Sequence, residues 1–227
     1  MSRFFLTTAI DYVNSRPHLG TAYEKVAADV IARYKRLCGV DTHFLMGNDE
    51  HSQNVYKRAA ERGLDPRAYC DQMEQEFRSV WKQLDISFDD FIRTTEPRHT
   101  GQVRAFLQQL WDKGEIYSAP YAGWYSTSAE RFWTDQEVAT AAGCTVDDLK
   151  SGKVAAICPD SGQPCEWLTE LNYFFRMSAY RDRLLTHIEE NPTCIQPDHR
   201  RNEVLGFLRK DLGDLCISRP KARLPWG

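Results

Sequence analysis

Apolar and polar positions follow two rhythms along the first half of the chain. Residues 4–10 form a β-rich run that ends in a polar loop, and the loop delivers His18 and Gly20 to the first turn of a long amphipathic segment. There Leu19, Ala22, Tyr23, Val26, Ala27, Val30, Ile31 and Tyr34 recur at three- and four-residue spacing, which predicts a helix over 19–37 with these residues on its buried face. Residues 42–46 read as a second, buried strand and are followed by a helix from about 51. Asp65-Pro66 opens another long helix with Tyr69, Met73, Phe77, Val80, Trp81 and Leu84 on one side. A short strand is predicted at 88–93. Glu96-Pro97 then starts a helix whose apolar stripe is Val103, Phe106, Leu107, Leu110 and Trp111. Strands alternating with helices imply a parallel sheet covered by helices, an α/β fold of the Rossmann type.

The texture changes near Gly114. Residues 116–133 are aromatic and β-like. A polar, Gly- and Pro-bearing stretch follows, then an apparent strand at 171–176, two helices at 179–190 and about 200–210, and a return segment at 214–219. The expected organisation is therefore the first half of a Rossmann domain (1–114), a small α+β insertion (115–213) and the start of a return to the sheet (214–227). Three strands are few for a doubly wound sheet, so the chain reads as cut short.

Composition narrows the function classes. The 42% hydrophobic and 27% charged residues are ordinary for a globular protein, and a net charge of −3 provides no global basic field for nucleic acid. Any RNA contact is expected to be local or to come from a part not present. No leader, Arg-rich transit segment or membrane-spanning run is read, and the seven scattered cysteines suggest a reduced, cytoplasmic setting.

Two loops carry candidate chemistry. A strand, a loop and a helix N-terminus build an anion site from free backbone N–H groups and the helix dipole, and His18 could donate to a phosphate there. The same Pro17-His18-Leu19-Gly20 segment could equally be an ordinary loop-to-helix junction. Met46-Gly47-Asn48-Asp49-Glu50-His51-Ser52 follows the second strand, where open α/β sheets bind ligands. Asp49 can accept from an ammonium group and Gly47 permits a tight turn, although Asn48 or Asp49 could simply cap the next helix.

Further segments sharpen this reading. Residues 9–14 with Pro17-His18-Leu19-Gly20, the Gly47-Asn48-Asp49-Glu50-His51 run, and Asp90-Phe91-Ile92-Arg93-Thr94-Thr95-Glu96-Pro97-Arg98-His99 all resemble segments of methionyl-tRNA synthetases. Gly123-Trp124-Tyr125-Ser126, Asn172-Tyr173-Phe174-Phe175-Arg176 and Ile217-Ser218-Arg219-Pro220 are similar to three more, in that family's order and spacing. The resemblance implies a class I synthetase domain, its sheet split by a connective-peptide insertion. It would join L-methionine to ATP (with Mg2+) and pass the product to tRNA(Met). It also implies ATP binding by His18, Gly20, Thr21 and Glu24, with His18, Thr21 and Arg219 taking part in catalysis through stabilisation of charge at the α-phosphate. Ala9, Ile10, Tyr12 and Asp49 would hold methionine, with Arg219 near Asp49.

The chain departs from the family in several places. Thr21 stands where a second histidine is usual, so weaker ATP activation is expected. Asn48 replaces a common threonine and Ser52 a common glycine. Ser126-Thr127-Ser128-Ala129 lacks the thiols of a zinc knuckle. Cys144, Cys158, Cys165 and His199 contain no close pair, so no zinc is expected and packing of Trp124, Tyr125, Trp133 and Phe174 would replace it. The family's Lys-Met-Ser-Lys-Ser loop, later sheet half and anticodon-binding domain are absent, so the 227 residues alone are expected to be inactive or nearly so, with the missing half present elsewhere or lost. A non-catalytic nucleotide- or amino-acid-binding module is the alternative. A small nucleotidyltransferase would also share the histidine-glycine loop, but the 124–176 insertion argues against it.

Overall fold

The computed structural model describes residues 3–210 and 212–219. They gather into two compact units, one of 3–103 with 124–166 and one of 104–123 with 167–219.

The first unit is built on a parallel sheet. Strand β3 (Asp41–Asp49) is its spine, and pairs along one edge with β1 (Arg3–Thr7) and then β2 (Asp11–Tyr12), and along the other with β4 (Asp90–Arg93). The register carries one irregularity. Thr7 pairs with Leu45 and Asp11 with Asn48, so the β1–β2 edge spends four residue steps where β3 spends three. The extra residue makes a bulge around Ala9. Gly47 is a strand residue and turns nothing, which corrects the expected loop. A Cβ there would lie 2.3 Å from the Ile92 carbonyl oxygen and 2.6 Å from its Cγ2, so the close approach of β4 requires glycine.

Three helices pack on this sheet or on each other: α1 (Leu19–Leu37), α2 (Gln53–Glu61) and α3 (Pro66–Gln83). α3 matches its predicted stripe, since Tyr69, Met73, Phe77 and Trp81 are fully buried with Phe44, Met46 and Phe91, although Leu84 is exposed. Each such side chain contributes about 1.5–3 kcal/mol by leaving water.

α1 reverses the expectation. Its buried residues are Lys25, Ala28, Asp29 and Ala32, while Leu19, Tyr23, Val30 and Tyr34 are 62–87% exposed. Small residues let the helix lie close against β3, and the bulky apolar stripe faces away from the sheet. α4 (Pro97–Asp112) likewise has no buried residue.

The rest of the first unit comes from later in the chain. The end of β5 (Ile116–Ser126) pairs antiparallel with β6 (Arg131–Trp133), and two short helices follow, α5 (Asp135–Ala142) and α6 (Val146–Lys150). Their core is Trp133, Val138, Ala139, Leu149, Ala156, Cys158 and Cys165, with Trp124 packed against it. Both helices lie in the stretch read only as polar. At the knuckle position, Ser126 Oγ lies 3.0 Å from Ser128 Oγ, which lies 2.7 Å from Ser161 Oγ. Among the described residues no three His, Cys, Asp or Glu side chains gather as a metal set.

In the second unit, β7 (Glu166–Phe175) pairs antiparallel with β8 (Leu215–Cys216), and Phe174 stacks on Tyr117 at 5.6 Å. A 3-10 turn (Met177–Tyr180) leads to α7 (Arg181–Glu190) and α8 (Asp198–Leu208), which bury Ile188, Leu205, Leu208 and Leu212. Within the segment expected at 214–227 to return to the first sheet, the described residues form β8, which pairs with β7 of the second unit. Pro220 and the residues after it lie outside the described residues. No described helix is long and apolar enough to cross a membrane.

Candidate active site

His18 is the N-cap of α1. Its backbone is extended, and its Nδ1 accepts from the N–H groups of Gly20 at 3.1 Å and Thr21 at 3.4 Å. An accepting nitrogen carries no proton, so the neutral ring bears its hydrogen on Nε2, which is left to donate elsewhere. Thr21 completes a reciprocal cap, because its Oγ1 accepts from the His18 N–H at 3.0 Å and donates to the His18 carbonyl at 2.8 Å. This corrects the expectation of free backbone N–H groups at the helix start. The imidazole covers two of them and replaces them with one outward N–H. Gly20 has a matching reason, since a Cβ there would meet His18 Cε1 at 3.0 Å and Nδ1 at 3.1 Å.

Six positions into α1, a charged cluster closes over the bulge. Glu24 Oε1 accepts from the Ala9 N–H at 2.9 Å, and Lys25 Nζ donates to the Ala9 carbonyl at 2.8 Å. The same ammonium reaches Glu24 Oε2 at 2.9 Å and Asp11 Oδ2 at 3.1 Å. Burial tends to raise the Glu24 carboxyl, but the Ala9 N–H and Lys25 outweigh it and hold Glu24 below its ordinary value. For Asp11 burial wins over Lys25, and its pKa is raised. Lys25 lies outside the segments singled out in the sequence, and Asp11 lies inside one of them without an assigned role. The available signal was position, because Lys25 shares the close-packed side of α1 with Ala28, Asp29 and Ala32.

The second loop lies at the end of β3. Asp49 stands opposite Tyr12 in the parallel register and is half-buried, while Ile10 and Tyr12 are 38% and 52% exposed. Burial raises the Asp49 carboxyl, the Glu130 charge raises it further, and the His51 backbone N–H and His99 oppose both. Burial, then the charges of Asp49 and Glu130, also raises the Tyr12 hydroxyl. A concentration of negative charge beside an aromatic ring suits an ammonium group.

Asp49 does not cap the following helix. Ser52 does, its Oγ accepting from the N–H groups of Asn54 at 3.0 Å and Val55 at 3.3 Å. Ser52 also donates to Glu130 Oε1 at 2.7 Å, so it has a structural part that glycine could not take. Next to Asp49, Glu50 is fully buried and accepts from Arg93 Nε at 2.6 Å, while its own N–H donates to Thr94 Oγ1 at 2.9 Å. Thr95 Oγ1 donates to its other oxygen, and Arg93 Nη2 reaches Asp71 at 2.6 Å. This network holds the loop that presents Asp49. Glu130, Arg93 and Glu50 were missed as site-shaping residues because their partners are distant in sequence.

The first unit thus contains Ala9, Ile10, Tyr12, His18, Gly20, Thr21, Glu24 and Asp49, with Ala9 held by Glu24, Tyr12 opposite Asp49, and His18 capping through Gly20 and Thr21. Arg219 belongs to the second unit, where its Nη1 donates to the Ser218 carbonyl at 2.6 Å and lies 3.2 Å from Cys216 Sγ. A groove of about 560 Å3 in that unit, lined by Leu107, Trp111, Ile116, Tyr173 and Ile217, contains none of the candidate residues.

The family model for class I tRNA synthetases (M) matches residues 4–227, nearly the whole chain. The chain belongs to that family. Among the class I (M) synthetases it is similar to the methionine--tRNA ligase of Thermotoga maritima, 44% identical over 225 residues that make up 99% of this chain and 34% of that protein. The ligase of Deinococcus radiodurans is 46% identical over 99% of this chain and 32% of its own length. Among solved structures, Mycobacterium tuberculosis methionyl-tRNA synthetase in complex with methionyl-adenylate matches with a TM-score of 0.86 at 41% identity, over 96% of this chain and 41% of that one. The chain therefore spans about a third of the length of these curated relatives. The α/β fold expected from the alternation of elements is that of this class I synthetase.

Proposed function

We propose that this chain is the methionine- and nucleotide-binding part of a methionine--tRNA ligase. The observation that carries the proposal is the pairing of β2 with β3, which puts Tyr12 beside Asp49 in the unit that also holds the His18 cap. In this reading Asp49 accepts the ammonium of methionine, while Ala9, Ile10 and Tyr12 line the thioether pocket, an apolar surface suited to a polarisable sulfur. His18 Nε2–H donates to the ATP phosphates as charge develops in the in-line displacement that forms methionyl-adenylate and releases pyrophosphate. Gly20, Thr21 and Glu24 border the nucleotide, and Mg2+ accompanies it. Arg219 is assigned to the reacting groups through the family pattern, and residues 115–213 to the connective insertion. Transfer to tRNA(Met), a cytoplasmic location and an insertion that holds without zinc belong to the same proposal.

The complete reaction needs more than these residues supply, since lysines that neutralise pyrophosphate are not among them. The exposed apolar stripe of α1 supports a longer protein whose further parts cover it. The test is methionine-dependent ATP–pyrophosphate exchange by the protein that the complete reading frame encodes. Exchange with methionine is expected. Exchange driven by another amino acid overturns the substrate, and absence of exchange with retained methionine binding favours a binding module.

A further inference from the structure

The bulge at Ala9 has to be held by something other than the sheet. Both backbone groups of Ala9 go to α1: its N–H to Glu24 and its carbonyl to Lys25. Lys25 is the larger commitment. Its side chain is fully buried, and its three N–H donors meet three acceptors: the Ala9 carbonyl, the Glu24 carboxylate and the Asp11 carboxylate. Removing an ammonium from water is costly even when it is paired, and an apolar residue would pack α1 against the sheet at less expense. The ion offers a fixed direction for one carbonyl and one carboxylate on either side of Ile10. Bulges near functional sites re-aim the side chains that follow them, and those here are Ile10 and Tyr12.

We propose that Lys25 is a positioning residue for the amino-acid pocket, its buried ammonium acting with Glu24 to hold the Ala9 bulge that sets the aim of Ile10 and Tyr12. The inference rests on the reading that this site takes methionine. It adds a link between the two substrates, because neighbouring residues of one helical turn border the nucleotide (Glu24) and shape the amino-acid pocket (Lys25).

The experiment uses the full-length protein, with methionine as the titrant in calorimetry and in pyrophosphate exchange. Lys25→Met keeps the unbranched stem of the side chain, one atom shorter, and removes the charge. It is expected to raise Kd and KM for methionine by about tenfold or more, with kcat at saturating methionine and KM for ATP within roughly threefold of wild type. The double variant Asp11→Asn with Lys25→Met removes the stranded carboxylate and so keeps the fold if the single variant loses it. It is expected to melt close to wild type and still bind methionine weakly, because the Ala9 carbonyl remains unheld. If the double variant restores methionine affinity together with stability, or if Lys25→Met binds methionine as wild type does, the inference is overturned while the function stands. If the wild type itself binds no methionine, the functional reading is overturned and the inference with it.

Discussion

Tyr12 and Asp49 lie directly opposite each other in the parallel register where β2 meets the end of β3, and the Asp49 charge helps to raise the Tyr12 hydroxyl. Burial raises the Asp49 pKa, so the folded protein binds that proton more tightly than the unfolded chain does. Ionised Asp49 therefore opposes folding at neutral pH, and the opposition disappears as pH falls below the carboxyl's ordinary value. Asp49→Asn is expected to raise Tm by a few degrees at pH 7, with the gain shrinking to nothing toward pH 3.5. The same variant should weaken methionine binding by on the order of a hundredfold, since it removes one partner of a charge-assisted contact. Melting curves across that pH range and methionine titrations check the two halves, and a variant that is less stable at pH 7 would contradict the first.

The two nitrogens of His18 can be separated by substitution. His18→Ala loses the cap on Gly20 and Thr21 and is expected to cost about 1 kcal/mol of stability along with most of the exchange activity. His18→Asn keeps a good capping oxygen, but its amide N–H groups stop short of the place that Nε2–H reaches. It should melt near wild type while exchange remains low, by on the order of a hundredfold or more. Recovery of activity in the Asn variant would show that capping alone is what the histidine provides.

Thr21→His tests the family departure. The new ring is expected to raise the exchange rate at saturating ATP by about tenfold, in keeping with the added donor. It also removes the Oγ1 that accepts the His18 N–H at 3.0 Å, so Tm should fall, by an amount typical of a lost cap of about 1 kcal/mol. Steady-state kinetics paired with thermal melts read the trade.

Gly47→Ala meets backbone and not a movable side chain, with the Ile92 carbonyl oxygen 2.3 Å from the added carbon. Overpacking of this kind costs about 1–3 kcal/mol, and more when a strand must separate. The expected outcome is a large fall in Tm or failure to accumulate as folded protein. Gly20→Ala, by contrast, crowds only the His18 ring, so it should fold and lose exchange activity.

How far the sequence could be read depended on whether a pattern was local. The α3 stripe was legible because Tyr69, Met73, Phe77 and Trp81 bury their own periodic face. The same rule misplaced α1, because periodicity identifies an apolar face and says nothing of which element lies against it. Ala28 and Ala32 reach the sheet more closely than Tyr23 or Val30 can. Helices α5 and α6 were hidden in a polar stretch, although Thr134 and Glu137 form a capping box and Thr145 caps α6. At the site, His18 and Asp49 were found through motifs. Lys25, Glu50, Arg93 and Glu130 act through partners up to 78 positions away, as Ser52 with Glu130 illustrates, and such pairings exist only once the chain is folded.

Side chains along a strand point alternately up and down, so one surplus residue inverts everything downstream of it. The four steps from Thr7 to Asp11 against three on β3 mean that Tyr12 has been turned over relative to an unbroken ladder. Were the same residues to zip up without the surplus one being set aside, Asp11 would come opposite Asp49 and the phenol ring would turn to the other side of the sheet. Here regularity and usefulness pull apart, and a perfect ladder would be the inactive one.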